Sequence, residues 1–264
     1  MRVVIQSGIS IRDDGRFKFD RRADKATDIL LLKEDTSDTE NINGVKYIYG
    51  YHFNPNADLG QIKIFREALK YDIYDSNVFD GDVHSFIESG ILKLNRYKKF
   101  DELQVMIDIH STSGSDLVPI MRSYFTQYMK NRMKSFSLLK TMYKRVKFNE
   151  HRTKQALIMA GYEPDRIKII IQDCVTNFNK LKGTYQLFQM KQIIPVELRS
   201  GFYDFLEFED ERQKTLYKTL QGIEVIIFDD FRTTGSTVDE VVRYLRSINP
   251  NNTLTVFVLI RQSK

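Results

Sequence analysis

The chain has 264 residues, 42% of them apolar, with 40 basic side chains against 35 acidic ones and a single cysteine. That apolar content excludes a disordered chain, and one cysteine excludes a disulfide framework or a cysteine-built zinc site. The net charge of +5 suits an anionic small molecule or a nucleic acid and does not choose between them.

The length predicts one core domain with an elaboration. No apolar run reaches the ~18–20 residues of a membrane span. The N-terminal MRVVIQSGISIRDDGRF breaks with charge too early for a signal peptide. The expected location is therefore a reducing compartment, the cytoplasm. His52, His84, His110 and His151 lack the spacing of a histidine-built metal site.

Residues 1–56 read as β-rich. VVIQ, RFKF, DILLL and VKYIYGYHF are short β-prone runs, and KEDTSDTENING between them reads as an exposed loop. Helical spacing follows at 60–73, where Ile62, Phe65 and Leu69 share a face, and again at 82–94. LQVMIDI (103–109) reads as a buried strand, STSGSD (111–116) as a loop, and 117–129 as a helix entered near a proline. Residues 135–148 fit strand or helix. Over 165–181 KIII looks strand-like, but Ile167, Ile170, Ile171, Cys174, Phe178 and Leu181 share one helical face, which predicts a helix. TYQLFQMKQIIPV reads as a strand or hairpin, 208–220 as an amphipathic helix, VIIFDD as a strand, STVDEVVRYLRSI as a helix and TLTVFVLI (253–260) as a last strand.

From about residue 102 onward, strands and helices alternate and the strands are apolar. This predicts an α/β fold with a mainly parallel sheet flanked by helices. Ligands in such sheets sit beyond the carboxyl ends of the strands. Two loops qualify: STSGSD after 103–109, and DDFRTTGST after 225–229.

The second loop carries the more specific chemistry. A strand-to-helix loop presents backbone N–H groups at the positive end of the helix dipole. Thr233, Thr234, Ser236 and Thr237 add hydroxyls, and Gly235 allows a backbone turn closed to other residues. Together they make a phosphate cradle without the lysine of a P-loop and without G-x-G-x-x-G. Asp229 and Asp230 would repel an anion but suit hydroxyls or a metal. A ribose 5′-phosphate answers both needs. The plainer alternative is a helix cap, since Thr237-Val-Asp-Glu240 matches a capping box. A haloacid-dehalogenase-type site would need D-x-D, which Phe231 and Arg232 prevent. A receiver domain would need several further strands, and only one follows.

The run Val225-Ile226-Ile227-Phe228-Asp229-Asp230-Phe231-Arg232-Thr233-Thr234-Gly235-Ser236-Thr237 resembles the phosphoribosyl pyrophosphate (PRPP) motif of type I phosphoribosyltransferases. His110 to Ser115 occupies the place of that family's pyrophosphate loop. Asn179 to Tyr185 is similar to a segment of its competence-associated ComF-like members. The resemblance implies a core at 102–264, with residues 1–101 as a β-rich N-terminal hood or accessory region that also carries two helices. It implies transfer of phosphoribosyl from Mg²⁺-PRPP to a nitrogen nucleophile, usually a nucleobase, with release of pyrophosphate. Asp229 and Asp230 would hold the ribose hydroxyls, partly through Mg²⁺. Thr233, Thr234, Gly235, Ser236 and Thr237 would hold the 5′-phosphate. Ser111, Thr112, Ser113, Gly114 and Ser115 would hold pyrophosphate. Thr233 stands where some purine enzymes carry an acid, which argues against a hypoxanthine- or guanine-type mechanism. Arg232 receives no role.

Two other readings stay open. A protein of this type can sense PRPP or a nucleotide without transfer. The basic stretch from Lys130 to Lys154, interleaved with Tyr128, Phe136, Tyr143 and Phe148, could bind single-stranded nucleic acid. Within it, Lys144 and Arg145 are candidates for pyrophosphate or nucleic-acid contacts, and a solvated basic face over buried rings explains the stretch equally. His110 is a candidate acid–base group, Cys174 reads as core, and 50–60 has the turn chemistry of a lid. The expected partners are PRPP or a related ribose 5-phosphate, an unidentified base, and a second copy of the chain.

Overall fold

The computed structural model describes residues 6–23, 30–32, 38–81, 83–109, 115–129, 133–232 and 235–261. In chain order the elements are β1 (Gln6–Ile11), β2 (Phe17–Ala23), β3 (Leu31–Leu32), β4 (Thr39–Ile42), β5 (Val45–Phe53), α1 (Leu59–Tyr71), β6 (Phe79–Asp80), α2 (Val83–Tyr97), β7 (Val105–Ile109) and α3 (Leu117–Gln127). Then come β8 (Lys134–Lys140), β9 (Lys147–Phe148), α4 (Glu150–Met159), α5 (Pro164–Lys182), β10 (Phe202–Tyr203), β11 (Leu206–Phe208), α6 (Glu211–Thr219), β12 (Glu224–Arg232), α7 (Ser236–Ile248) and β13 (Thr253–Arg261). Two compact units divide the chain. One holds 1–135, 223–233 and 253–264; the other holds 136–222 and 234–252.

The first unit is built on parallel strands in the order β7-β12-β13-β5. β3 and β4 pair antiparallel with β5. The apolar run of β12 is buried from Val225 to Phe228, as a strand covered on both faces must be. The core of this unit takes Phe65 and Leu69 from α1, Phe86, Ile87 and Ile91 from α2, Met121 and Phe125 from α3, and Phe228 and Phe257 from the sheet. Phe228 lies edge-on to both Phe125 and Phe257, at 5.0 and 5.7 Å. Helix α2 comes close to the sheet at Gly90. A Cβ there would stand 2.8 Å from Leu259 and 2.9 Å from Tyr51, so only glycine permits this approach. A smaller sheet, β1-β2-β6, belongs to the same unit.

Several expectations change here. The parallel sheet draws β5 from the first hundred residues. The polar run expected as an exposed loop contains β4, and Asp38 beside it is buried, because its carboxylate has buried partners. Tyr51, His52 and Phe53 are buried strand residues and do not form a lid. Finally, β12 continues to Arg232, so the two aspartates are strand residues at its carboxyl end.

The second unit pairs β11 with β8 and β10 with β9, both antiparallel. Residues 134–140 thus resolve as strand. Helix α5 forms as the periodicity predicts, with Pro164 at its start, where a missing N–H costs nothing. Phe178 from α5 packs with Tyr143, Phe148 and Phe202. The expected strand or hairpin at 184–196 is largely irregular. Leu187 forms one bridge to Met142, a 3₁₀ turn covers Met190–Gln192, and Phe188 is buried against Tyr143 and Phe205. Phe188, Met190 and Ile193 fill a core without a ladder, while Leu187 and Ile194 stay exposed. Asn249 and Asn252 donate to the carbonyl of Leu220 and tie off the end of α6.

Candidate functional site

The acid pair sits where β12 reaches the carboxyl edge of the parallel sheet. Asp229 is in register with Val258 of β13, and Phe228 with Asp108 of β7. Both aspartates are half-buried. The Asp229 carboxylate accepts the Asp230 amide at 3.1 Å, and the Asp230 carboxylate accepts the Phe231 amide at 2.7 Å. The other Asp230 oxygen pairs with Lys70 Nζ at 3.1 Å. Phe231 is buried, and the cations of Arg66 and Lys70 each lie 5.2 Å from its ring centre. Helix α1 therefore brings two cations to Asp230 and Phe231. Sequence reasoning missed both, because nothing in α1 marks them as facing a strand 160 residues later.

Arg232 takes a different course. Its guanidinium lies 4.5 Å from the Tyr47 ring centre and 3.1 Å from Glu40, and it bonds the Tyr49 hydroxyl. Arg261 lies over Tyr49 at 4.7 Å and pairs with the same Glu40 oxygen at 3.0 Å. Burial alone would raise the Glu40 carboxyl pKa. The Tyr49 hydroxyl and the two guanidiniums outweigh that and hold it below the ordinary glutamate value. Burial pushes the Tyr49 phenol up to about 12, even against the two arginines.

Thr233 and Thr234 lie outside the described residues, as do His110, Ser111, Thr112, Ser113 and Gly114. Gly235 has φ +79°, the left-handed conformation for which glycine was expected, and it caps the N-terminus of α7. Ser236 and Thr237 are the first two helical residues. Gly235, as the N-cap, has no side chain with which to cap this end. The capping-box reading of Thr237 and Glu240 therefore fails. Thr237 is inside the helix, and the buried Glu240 carboxylate instead accepts the Asp204 amide and pairs with Arg243. Ser115 is buried, and its hydroxyl accepts the Leu117 amide at 3.4 Å at the start of α3. Just before that loop, the buried Asp108 pairs with Arg122 of α3 at 2.9 Å.

Lys144 and Arg145 belong to the second unit. Lys144 lies over the ring of Tyr185, and Arg145 pairs with Glu207. The rings expected to interleave a nucleic-acid groove are used elsewhere. Phe136 and Tyr143 are buried, Phe148 packs on Phe202, and Tyr128 bonds Glu88. Lys147 is neutralised by Asp204 at 2.8 Å. Stacking on these rings is thus corrected to core packing. Lys130 and Arg132 lie outside the described residues. Burial raises the Cys174 thiol to about 11, which suits an inert side chain.

Among the described residues no group of three metal-ligating side chains occurs. Asp229 and Asp230 fit Mg²⁺ in a narrower sense. Magnesium is commonly held by one or two carboxylates while a ligand's phosphates and water complete its shell. No helix among the described residues is long and apolar enough to cross a membrane.

No family model and no curated protein matches the chain. Among solved structures, it is similar to a hypoxanthine phosphoribosyltransferase from Staphylococcus aureus at 10% identity, covering 67% of this chain and 64% of that one, with a TM-score of 0.34. The match therefore spans less than two thirds of that enzyme's length. A hypoxanthine-guanine phosphoribosyltransferase from Bacillus anthracis matches at 12% identity, over 69% of each chain, with a TM-score of 0.34. A hypothetical protein from Neisseria gonorrhoeae with bound ppGpp matches at 12% identity, over 74% of this chain and 70% of that one, with a TM-score of 0.35. Likeness this loose does not bear on function.

Proposed function

We propose that the chain binds Mg²⁺-PRPP through Asp229, Asp230 and residues 233–237 and transfers its phosphoribosyl group to a nitrogen nucleophile. The observation that carries this reading is local. Two half-buried carboxylates lie at the carboxyl end of a parallel strand, and a few residues further along the chain a left-handed glycine opens a helix. The start of a helix presents backbone amides and partial positive charge, which suit a phosphate.

In this reading the roles follow from charge. Asp229 and Asp230 accept the ribose hydroxyls. Gly235 and the amides and hydroxyls of 233–237 hold the 5′-phosphate, and 111–115 hold the pyrophosphate. Mg²⁺, when bound, offsets the charge of the leaving group. In the reaction the C1–oxygen bond to pyrophosphate breaks and its electron pair leaves with pyrophosphate. The C1–nitrogen bond forms, and the nucleophile gives up a proton. Such a step needs a held leaving group and preorganised charge more than covalent help.

A second reading, ligand binding without transfer, is favoured by one observation. Lys70 already neutralises Asp230, as a resident cation would in a site that only binds. Pyrophosphate release from PRPP in the presence of a panel of nucleobases separates the two. Release with any base supports transfer, and tight binding of PRPP with no release across the panel supports the sensor.

A further inference from the structure

Two parallel strands of the first unit end in arginine. Arg232 of β12 is in register with Arg261 of β13. Two arginines side by side on neighbouring strands repel each other unless something negative lies between them. Here it is Glu40. A single oxygen, Oε2, lies 3.1 Å from Arg232, 3.0 Å from Arg261 and 2.9 Å from the Tyr49 hydroxyl. Two guanidiniums against one carboxylate leave an excess of one positive charge.

The arginines are also preoriented. Arg232 stacks on Tyr47 and Arg261 on Tyr49. A stacked guanidinium keeps its edge free to donate, the geometry that suits phosphate. The two arginines stem from the carboxyl ends of β12 and β13, where open α/β sheets take ligands, and reach back over Tyr47 and Tyr49 of β5. Glu40 comes from an edge strand, and its side chain is 35% exposed, against 15% for Arg232. With Arg261 at 28%, the carboxylate is the most exposed of the three charged groups.

We propose that Arg232, Arg261 and Tyr49 form a phosphate-binding site, distinct from the acid pair, in which the Glu40 carboxylate holds the place of the incoming anion. A phosphate oxygen would accept from the same three donors once Glu40 swings out. The ligand class is a phosphate or pyrophosphate group, either free or as the terminal phosphates of a nucleotide. The proposal does not depend on PRPP binding at Asp229, Asp230 and 233–237.

The test is calorimetric titration of inorganic pyrophosphate, and separately of a nucleoside triphosphate, both without Mg²⁺. It compares the wild type with Glu40→Gln and with Glu40→Gln/Arg261→Gln. Removing the competing carboxylate is expected to tighten binding roughly tenfold, and removing Arg261 as well is expected to abolish that gain. A gain with both probes assigns the site to terminal phosphates, and a gain with pyrophosphate alone assigns it to the free anion. A folded Glu40→Gln that binds both probes no tighter than wild type overturns the proposal. So does a gain that persists without Arg261. If Glu40→Gln does not fold, Arg261→Gln alone decides: the proposal expects weaker pyrophosphate binding, and unchanged binding overturns it. Asp229→Asn/Asp230→Asn should leave the Glu40→Gln gain intact, which separates this site from the PRPP reading.

Discussion

Lys70 Nζ on α1 stands 3.1 Å from Asp230 Oδ2 at the end of β12, while the same ammonium lies 5.2 Å from the ring centre of Phe231. A cation on a carboxylate that is proposed to face Mg²⁺ must compete with the metal. Lys70→Met keeps most of the apolar stem against Phe231 and removes the charge. In titrations of PRPP at varied Mg²⁺, this variant is expected to reach half-saturation at a Mg²⁺ concentration roughly fivefold lower, the worth of about 1 kcal/mol for a partly exposed pair. An unchanged Mg²⁺ dependence would show that the ammonium and the metal do not share Asp230.

Asp38 and Lys93 form a buried pair at 2.6 Å, with Tyr97 donating to the second Asp38 oxygen at 2.8 Å. Lys93→Met leaves a buried carboxylate without its main partner. It is expected to cost about 3–5 kcal/mol, read as a lower denaturant midpoint.

The same cluster sets an acid limit on stability. Burial alone would raise the Asp38 carboxyl, but the nearby His52 ring and the bonds from Lys93 and Tyr97 outweigh it, so its pKa lies below the ordinary aspartate value. A depressed carboxyl stabilises the fold fully above its unfolded pKa and loses that contribution as pH falls through the folded one. Denaturant midpoints should therefore drop as the pH is lowered below about 4, and Asp38→Asn should flatten that decline.

Phe228 is fully buried between Phe125 and Phe257. Phe228→Ala should cost about 3–5 kcal/mol through lost contacts and a cavity. Thermal denaturation measures it, and a loss well under that range would mean the neighbouring rings collapse into the space.

Gly235→Ala places a Cβ at φ +79°, a strain of about 1–2 kcal/mol. Melting temperature should fall modestly. PRPP affinity should fall further if the turn itself holds phosphate, and an equal loss in both would assign Gly235 to stability alone.

The strands that carry the site were legible because β12, β13 and β7 are mainly apolar runs, and the acid pair with its glycine is a contiguous signal. Helix α5 was legible because six apolar residues keep one period. What was not legible depends on pairing across long separations. β5 reads as one β-prone run among several at the N-terminus, and only its register with β13 makes it part of the parallel sheet. Lys70 and Arg66 look like the polar face of any amphipathic helix until Phe231 is placed beneath them. Arg232 had no role while its partners Glu40, Tyr47 and Tyr49 lay almost 200 residues away. The basic stretch misled in the opposite direction. Its rings alternate with charge in sequence, but Phe136 and Tyr143 turn inward.

Calorimetric titration of Mg²⁺-PRPP into the wild type and into Asp229→Asn/Asp230→Asn tests the central claim most directly. The account predicts binding to the wild type that requires Mg²⁺ and is absent from a variant of unchanged fold. A folded wild type that takes up no PRPP, with or without a nucleobase present, would contradict it, as would a variant that binds as tightly as the wild type.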